Sequence, residues 1–298
     1  MRAAEFFAFA RRRHQIYLDR TAGRPEPWTG DPILGRYRFT NVFRELDRTT
    51  VWFRENVRDR LAGRPVYEQV LGTILFRTLN RIESGSALFS QGQLHRTPPG
   101  WNYIQRAENN QEANWVLYLE TALRHAIPKG PWVTGAYIVK TPDGMDKLRG
   151  ALWIVQEAAK RLPTTLADPA ARSSLEGLHR ALQSYPFIGG FTGYEIVSDL
   201  RHLPILREAP DIMTWAHAGP GAVRGLNRLM GFPVKQGMRQ SEALMYMRHL
   251  LAEVPKFWPA HDESWPTWEM REIEHTLCEF DKYERVRLGE GTPRGRFR

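Results

Sequence analysis

Residues 185–200 read YPFIGGFTGYEIVSDL, and this stretch decides the fold that the sequence predicts. It comes after a segment with the apolar spacing of a helix, and its glycines are typical of a tight hairpin that leads into a second helix. We expect Gly189 and Gly190 to allow positive φ angles and close backbone approach, which would turn successive amide N–H groups toward an anion. The positive end of the second helix dipole lies beside them. The hairpin is therefore a candidate phosphate-binding site.

Acidic and basic side chains follow this hairpin. Glu195 and Asp199 are four residues apart and share one face of the second helix. A second glycine-rich turn, GPG at 219–221, has Arg224 and Arg228 behind it. The combination favours a nucleic-acid-binding site, whereas a glycine pair by itself indicates only a turn.

Apolar residues recur with a period near 3.6 along most of the chain, which predicts an all-α protein. Residues 132–139 are the exception, because they alternate as a short strand would, and residues 83–109 are predicted to form a long loop. With 298 residues, 42% of them hydrophobic, the chain can bury a sizeable core as one large domain or as two lobes. The predicted helices cover about 3–20, 38–61, 66–82, 110–125, 143–162, 168–184, 191–203, 220–230, 239–253 and 266–287.

The charge balance is basic and is carried by arginine. The chain has seven Lys, 35 Arg and a net charge of +9, and residues 1–64 hold 14 Arg, no Lys and eight acids. Arg binds phosphates in a planar, bidentate geometry, so the excess favours an anionic partner such as nucleic acid. A GC-rich genome, which inflates the Arg content, is the alternative explanation.

Composition and motifs exclude several classes of site. The single cysteine, Cys278, excludes intrachain disulfides, four-Cys iron–sulfur clusters and Cys-based zinc sites, and the nine His are scattered, so no metal or cofactor is expected. There is no P-loop, dinucleotide GxGxxG, HExxH or GxSxG motif. The apolar N-terminal run is short and precedes its basic residues, unlike a signal peptide, and no run is long enough for a membrane span. A cytoplasmic protein is expected.

An early block, residues 27–48, carries candidate phosphate ligands and reads PWTGDPILGRYRFTNVFRELDR. On a helix from about residue 40, Asn41, Arg44 and Arg48 would share a face that lines a cleft. Alternatively, Asp31 caps a turn before Pro32, and the two Arg pair with acids on a solvated surface.

A late block, residues 270–285, reads MREIEHTLCEFDKYER. Beside its buried apolar stripe lies a second stripe that contains Glu274, Cys278, Asp281 and Arg285. A thiol next to carboxylates is a candidate for covalent chemistry, although a lone helical Cys is often a small core residue.

Five blocks in order resemble the α-glutamyl/putrescinyl thymine pyrophosphorylases over nearly the whole chain: residues 27–34, 38–48, the hairpin, 219–226 and 277–283. These are amino-acid or amine:DNA transferases of phage thymine hypermodification. The resemblance implies distant kinship with helix-hairpin-helix DNA glycosylases, hence one unit, 1–298, of two helical lobes around a central cleft. The hairpin lobe would cover about 140–235, with the N- and C-terminal helices forming the rest. Phe187 stands where the usual hairpin has its first glycine.

The implied substrate is DNA in which the thymine methyl carbon carries a pyrophosphate, on a base flipped out of the duplex. An amine or amino acid, as co-substrate, displaces the pyrophosphate and forms a C–N bond, in the host cytoplasm if the protein is phage-encoded. The leaving group needs cations, and the incoming ammonium needs a carboxylate. The cation candidates are Arg44, Arg48 and Lys282, and the acid candidates are Glu195, Asp199, Glu274 and Asp281. Cys278 adding to C6 of the ring is a covalent variant. Asp31, Asn41, Gly189, Gly190 and Arg224 complete the predicted DNA- and substrate-binding set.

Two other functions stay open at the level of sequence. One is a non-catalytic DNA-binding protein, and the other is a base-excision glycosylase, with Asp211 near the place of its catalytic acid. No membrane partner is expected, and the sequence fixes neither the amine donor nor the oligomeric state.

Overall fold

The computed structural model describes residues 1–90, 97–109, 114–258, 266–293 and 295. Within these ranges the regular elements are helical and no strand is present, which confirms the all-α prediction, and residues 132–139 are irregular. None of the helices described there combines the length and apolar character needed to cross a bilayer. The helices are α1 (Ala3–Thr21), α2 (Pro32–Arg36), α3 (Arg48–Phe53), α4 (Asp59–Leu61), α5 (Val66–Leu79), α6 (Ile82–Phe89), α7 (Pro99–Arg106), α8 (Trp115–Ala126), α9 (Lys147–Ala167), α10 (Pro169–Arg172), α11 (Leu175–Leu182), α12 (Gly190–Leu200), α13 (Pro220–Met230), α14 (Gln240–Phe257) and α15 (Met270–Arg287).

The chain divides into two compact units. Unit 1 comprises Met1–Asp47 and Ile212–Arg298, and unit 2 comprises Arg48–Asp211. The hairpin lies in unit 2, whose bounds differ from the predicted hairpin lobe of 140–235. The difference arises because unit 2 reaches back to α3, while α13 packs along α15 in unit 1.

Helix α15 is the centre of unit 1 and packs against α1, α2, α13 and α14. On one side, glycines let the α13 backbone come very close: a Cβ added to Gly225 would lie 2.4 Å from the carbonyl oxygen of Leu277. On another side, aromatic rings join α15 to α1, with Phe9 centred 5.7 Å from Phe280 and 5.1 Å from Tyr283. These contacts fix the rotation of α15 and hence the direction of its polar side chains.

Helix α5 is the centre of unit 2 and is buried along almost its whole length. It packs against α7, α9 and α12, and α11 lies beside α12. Helices α11 and α12 flank the hairpin, so α5 supports the second hairpin helix directly.

The predicted helix 38–61 is wrong in its first half. Residues 38–43 are not helical, and a 3₁₀ turn at Arg44–Leu46 precedes α3, a π-helical turn at Arg54–Arg58 and α4. The cause is local, because Asn41 donates its backbone N–H to Asp47 Oδ1 at 2.9 Å and its side-chain amide to the Leu46 carbonyl at 2.7 Å. Such bonds compete with helix formation. Arg44 and Arg48 therefore share no helix face, and they belong to different units.

The predicted loop 83–109 is also wrong for the part that the structure describes. Helix α6 occupies its start, and α7 begins with Pro99 at the first helical position. Proline is favoured there because an N–H group at this position would have no acceptor within the helix, so its absence costs nothing. Within the segment predicted to be a loop, Pro98 and Pro99 thus stand at the start of a helix.

Candidate functional site

The hairpin between α11 and α12 places its left-handed residue at Phe187. Phe187 has a φ of 62°, whereas Gly189 has φ −84° and ψ −177°, and Gly190 is not among the positive-φ residues. The expected positive φ at Gly189 and Gly190 is therefore wrong. Phe187 adopts the left-handed conformation that glycine usually supplies.

The hairpin nevertheless leaves space beside the α12 N-terminus. Gly189 is the N-terminal cap of α12, and a Cβ added to it would meet no atom within 4 Å. Phe187 and Phe191, two residues before and after Gly189 in the sequence, have 43% and 46% of their surface exposed. These two exposed aromatic residues were not predicted as part of a site, although both stand in the hairpin motif at 185–200.

Asp199 has a partner that sequence reasoning also missed. It is fully buried, and both its oxygens accept from the Arg77 guanidinium of α5, with Nη2 to Oδ1 at 2.8 Å. Arg77 Nη1 also donates to Asn80 Oδ1 at 2.7 Å. This geometry makes Asp199 a link between α12 and α5. Glu195 lies one turn earlier on α12 and is 8% exposed. Catalytic roles for both acids stay predictions.

Asp211 caps the first hairpin helix. Its two carboxylate oxygens accept the backbone N–H groups of Leu175 and Glu176, each at 2.9 Å. An acid at a helix N-terminus satisfies amides that have no intrahelical acceptor. The contacts of this carboxylate therefore support the start of α11.

Asp31 is a structural cap in unit 1. It accepts from the backbone of Ile33 and Leu34 at 2.9 and 3.1 Å. Its second oxygen accepts from the Tyr283 hydroxyl at 2.8 Å and from Arg12 Nη1 at 3.1 Å. The alternative in which Asp31 caps a turn before Pro32 is the one that the structure shows, and Asp31 also ties α2 to α15.

The early and late sequence blocks meet along one face of α15. The Thr40 N–H donates to Glu279 Oε2 at 3.2 Å, and Lys282 Nζ lies 2.7 Å from the same carboxylate and 4.8 Å from the centre of the Phe39 ring. Further along, His275 Nε2 lies 4.0 Å from Asp47 Oδ2. We call this group the turn site. It consists of residues 39–47 together with Arg271, His275, Glu279 and Lys282.

Charge is concentrated in the turn site. Arg44 is buried, and its charge acts on both Asp47 and Arg271. Burial raises the pKa of Asp47 above its ordinary value, against the opposing effects of His275, of the hydrogen bond from the Asn41 N–H and of Arg44 and Arg13. Burial also lowers the pKa of Arg271, but the nearby carboxylates of Glu272 and Glu45 outweigh it, and the net change is upward. The site thus combines fixed cations with an acid that protonates more readily than usual.

A third face of α15 is occupied by α13. Asp281 accepts from the Nε atoms of Arg224 and Arg228, both at 2.8 Å, and Arg228 also pairs with Glu290 at 2.5 Å. The predicted DNA ligand Arg224 is therefore also an internal ion-pair partner. The predicted acid Asp281 is 2% exposed and holds both guanidinium groups.

Cys278 and Glu274 lie next to each other on this face. The Cys278 thiol is 3.6 Å from Glu274 Oε1, and the same oxygen accepts the Gly219 N–H at 3.3 Å. Burial, followed by the charges of Glu274 and Glu279, raises the pKa of the Cys278 thiol well above its ordinary value. A protonated thiol is a poor nucleophile, so this environment disfavours the covalent variant.

The comparisons with known proteins identify the family. Residues 2–292 match the family described as "5-hmdU DNA kinase, helical domain", and the chain belongs to this family. A curated relative, the "5-hmdU DNA kinase" of Bacillus phage SP10, is 25% identical over 304 residues. The alignment covers 93% of this chain but 44% of the relative, so the chain spans less than half the length of that protein. No solved structure matches the chain.

In the described ranges, no group of His, Cys, Asp and Glu has an arrangement that could hold a metal ion.

Proposed function

We propose that this chain modifies a thymine-derived base in DNA by replacing the pyrophosphate of 5-(pyrophosphoryloxymethyl)uracil with an amine or amino acid. The amine nitrogen forms the C–N bond at the methylene carbon while the C–O bond breaks. The ammonium first loses a proton to a base, which frees the nitrogen lone pair for attack, and the electron pair of the broken C–O bond leaves with pyrophosphate. The observation that carries this proposal is the turn site, where cations and acids from two distant sequence blocks meet.

Arg44 and Lys282 are the proposed ligands of the leaving pyrophosphate, as the sequence predicts, and Arg271 joins them. Fixed cations stabilise the charge that develops on a departing oxygen. Arg48, which is exposed at the start of α3 in unit 2, is proposed instead to contact DNA phosphate, together with the α12 N-terminus at Gly189 and Gly190.

His275 is the proposed proton acceptor, with Asp47 beside it. A neutral imidazole accepts a proton near neutral pH, and a carboxylate 4.0 Å away stabilises the resulting cation. Glu274 and Asp281 are the acids of α15 that the sequence analysis proposes for this role, but both already accept hydrogen bonds from α13 or from the turn that precedes it. Both acids stay alternative candidates for the proton acceptor, and mutagenesis can distinguish them from His275.

The description of the family as a 5-hmdU DNA kinase is compatible with the proposed reaction. A kinase acting on 5-hmdU in DNA puts a phosphate on the hydroxymethyl group, and the proposed reaction consumes a base to which a second phosphate has been added. The chain itself has no P-loop, the element with which many kinases bind a nucleoside triphosphate. We therefore assign the chain to a step after phosphorylation.

The test uses the full chain, duplex DNA that carries the pyrophosphorylated base, and a panel of amines. We expect equal amounts of released pyrophosphate and of a C–N-linked nucleoside, measured by mass spectrometry after digestion of the DNA. Phosphate transfer from ATP to 5-hydroxymethyluracil, or an abasic site, would overturn the proposal in favour of a kinase or a glycosylase. DNA binding without any product would identify a binding protein.

Matched variants locate the chemistry. Lys282→Gln removes a proposed pyrophosphate ligand and should slow transfer by at least about tenfold, because a cation that stabilises the transition state is worth more than about 1.4 kcal/mol. Lys256→Gln is the control, since Lys256 forms a similar pair with Glu253, three residues earlier on α14 of the same unit. His275→Gln should abolish transfer, whereas Glu274→Gln should retain it. The reverse order would make Glu274 the base.

A further inference from the structure

Helices α1 and α15 line an open cleft of about 570 Å³ in unit 1. Arg11, Arg12 and Arg287 line it together with two acids, Glu5 and Glu284. The cleft lies on a different face of α15 from the turn site. His275, Glu279 and Lys282 follow one another around the helix on the turn-site face, whereas Phe280, Tyr283 and Arg287 mark the face of the cleft.

The arginines of the cleft retain positive charge for a ligand. Arg12 Nη1 pairs with Asp31 at 3.1 Å, and Arg287 pairs with Glu284 at 2.7 Å, yet about half of each arginine side chain is exposed. Arg11 is exposed and forms no ion pair with any residue in the part of the chain that the structure describes. Its guanidinium group therefore stands on the wall of the cleft with its charge available to an anion.

The shape of the cleft indicates an extended anion. Glu5, Ala8, Arg11 and Arg12 recur at helical spacing, so the wall follows α1 for about 10 Å. Each guanidinium group can bind two phosphate oxygens, and Arg11 and Arg12 on α1 together with Arg287 on α15 place such groups on both walls of the cleft, where a phosphate chain could contact them.

We propose that this cleft binds the phosphodiester backbone of DNA. The proposal rests on the proposed function only in taking DNA as the substrate, and it assigns Arg11, Arg12 and Arg287 a role separate from pyrophosphate release. Contacts of this kind set the position of a protein on DNA without reading its sequence.

The experiment measures binding of unmodified duplex DNA by fluorescence anisotropy over a series of salt concentrations. Arg11→Ala should weaken binding equally for unrelated DNA sequences and reduce the salt slope by about 0.9 for each phosphate that the variant no longer neutralises. Arg20→Ala is the matched control. It removes another exposed arginine of α1, nine residues further on and hence on the opposite side of the helix.

A substitution of opposite sign completes the test. Glu5→Gln removes an acid from the cleft wall and should strengthen DNA binding. Equal slopes for the wild type and Arg11→Ala, or equal losses for Arg11→Ala and Arg20→Ala, would overturn the proposal. It would also be overturned if inorganic pyrophosphate bound with an affinity that depends on Arg11 while DNA binding did not. Because the DNA is unmodified and no amine is present, a failure of the transfer reaction leaves this result unaffected.

Discussion

Arg77 and Asp199 form a buried bidentate ion pair that joins α5 to α12 across 122 residues of sequence. The pair anchors the second hairpin helix on the most buried helix of unit 2. The contacts of Asp199 therefore predict a contribution to the stability of the folded protein.

Replacing Asp199 with Asn should unfold the protein more easily, because Arg77 would keep a buried charge without a counterion. We expect a loss of about 3–5 kcal/mol in the free energy of unfolding, measured by chemical denaturation. Glu176→Gln is the control, since it breaks an exposed pair with Arg180 and should change stability by less than about 1 kcal/mol. An Asp199→Asn protein of normal stability that has lost amine transfer would return Asp199 to a catalytic role.

Substitutions at Phe187 should follow backbone conformation more than hydrophobicity. At a φ of 62°, asparagine is tolerated and a β-branched residue is not, so Phe187→Val should be less stable than Phe187→Asn by about 1 kcal/mol. Denaturation curves of the two variants measure the difference. The same two substitutions at Phe191, a similarly exposed residue within α12, should differ much less, and a similar gap at both positions would argue against backbone strain.

Cys278 should react slowly with alkylating agents at neutral pH, because burial and then Glu274 and Glu279 raise its pKa. Iodoacetamide labelling of the folded protein across a pH series should show appreciable rates only in alkaline solution. Glu274→Gln should move this profile to lower pH by removing a nearby negative charge. Rapid labelling of the wild type at pH 7 would restore Cys278 as a candidate nucleophile.

His14 should make the protein less stable in mild acid. Burial, followed by the charge of Arg13, lowers the pKa of His14 to about 4, so the folded state favours the neutral ring. The contribution is complete above about pH 6.5, and up to about 3 kcal/mol is lost as pH falls from about 6.5 to 4, because the unfolded chain binds a proton that the folded chain does not. His14→Phe keeps an aromatic ring and should flatten this decline in urea titrations. His125→Gln, on the surface of α8, should keep the wild-type profile, and equal pH profiles for wild type and His14→Phe would contradict the prediction.

The fold class could be predicted from the sequence because helical periodicity is a local property. The break in the predicted helix 38–61 could not, since it depends on hydrogen bonds that Asn41 makes to Asp47 and Leu46. The division of the chain into these two units could not be predicted from the sequence either. Nothing local in the sequence says that α13 packs along α15, a close approach made possible by the missing side chain of Gly225.

The candidate site was found in part. The sequence singled out Arg44 and Lys282, and the structure places both in the turn site. His275 stood in the same motif, but its relation to Asp47 is a long-range contact that helical spacing does not reveal. Asp199 was chosen for its position on a helix face, and its partner Arg77 lies on another helix, where no local pattern points to it.

One helix, α15, presents different side chains to three neighbours: Asp281 to α13, Lys282 to residues 39–47 and Tyr283 to the α1 side. Consecutive residues of a helix are turned by about 100°, so inserting or deleting one residue would misdirect all three sets together. A point substitution disturbs one set and leaves the other two in place. Directed evolution of this protein should therefore randomise single positions of α15 and keep the number of residues between Met270 and Arg287 constant.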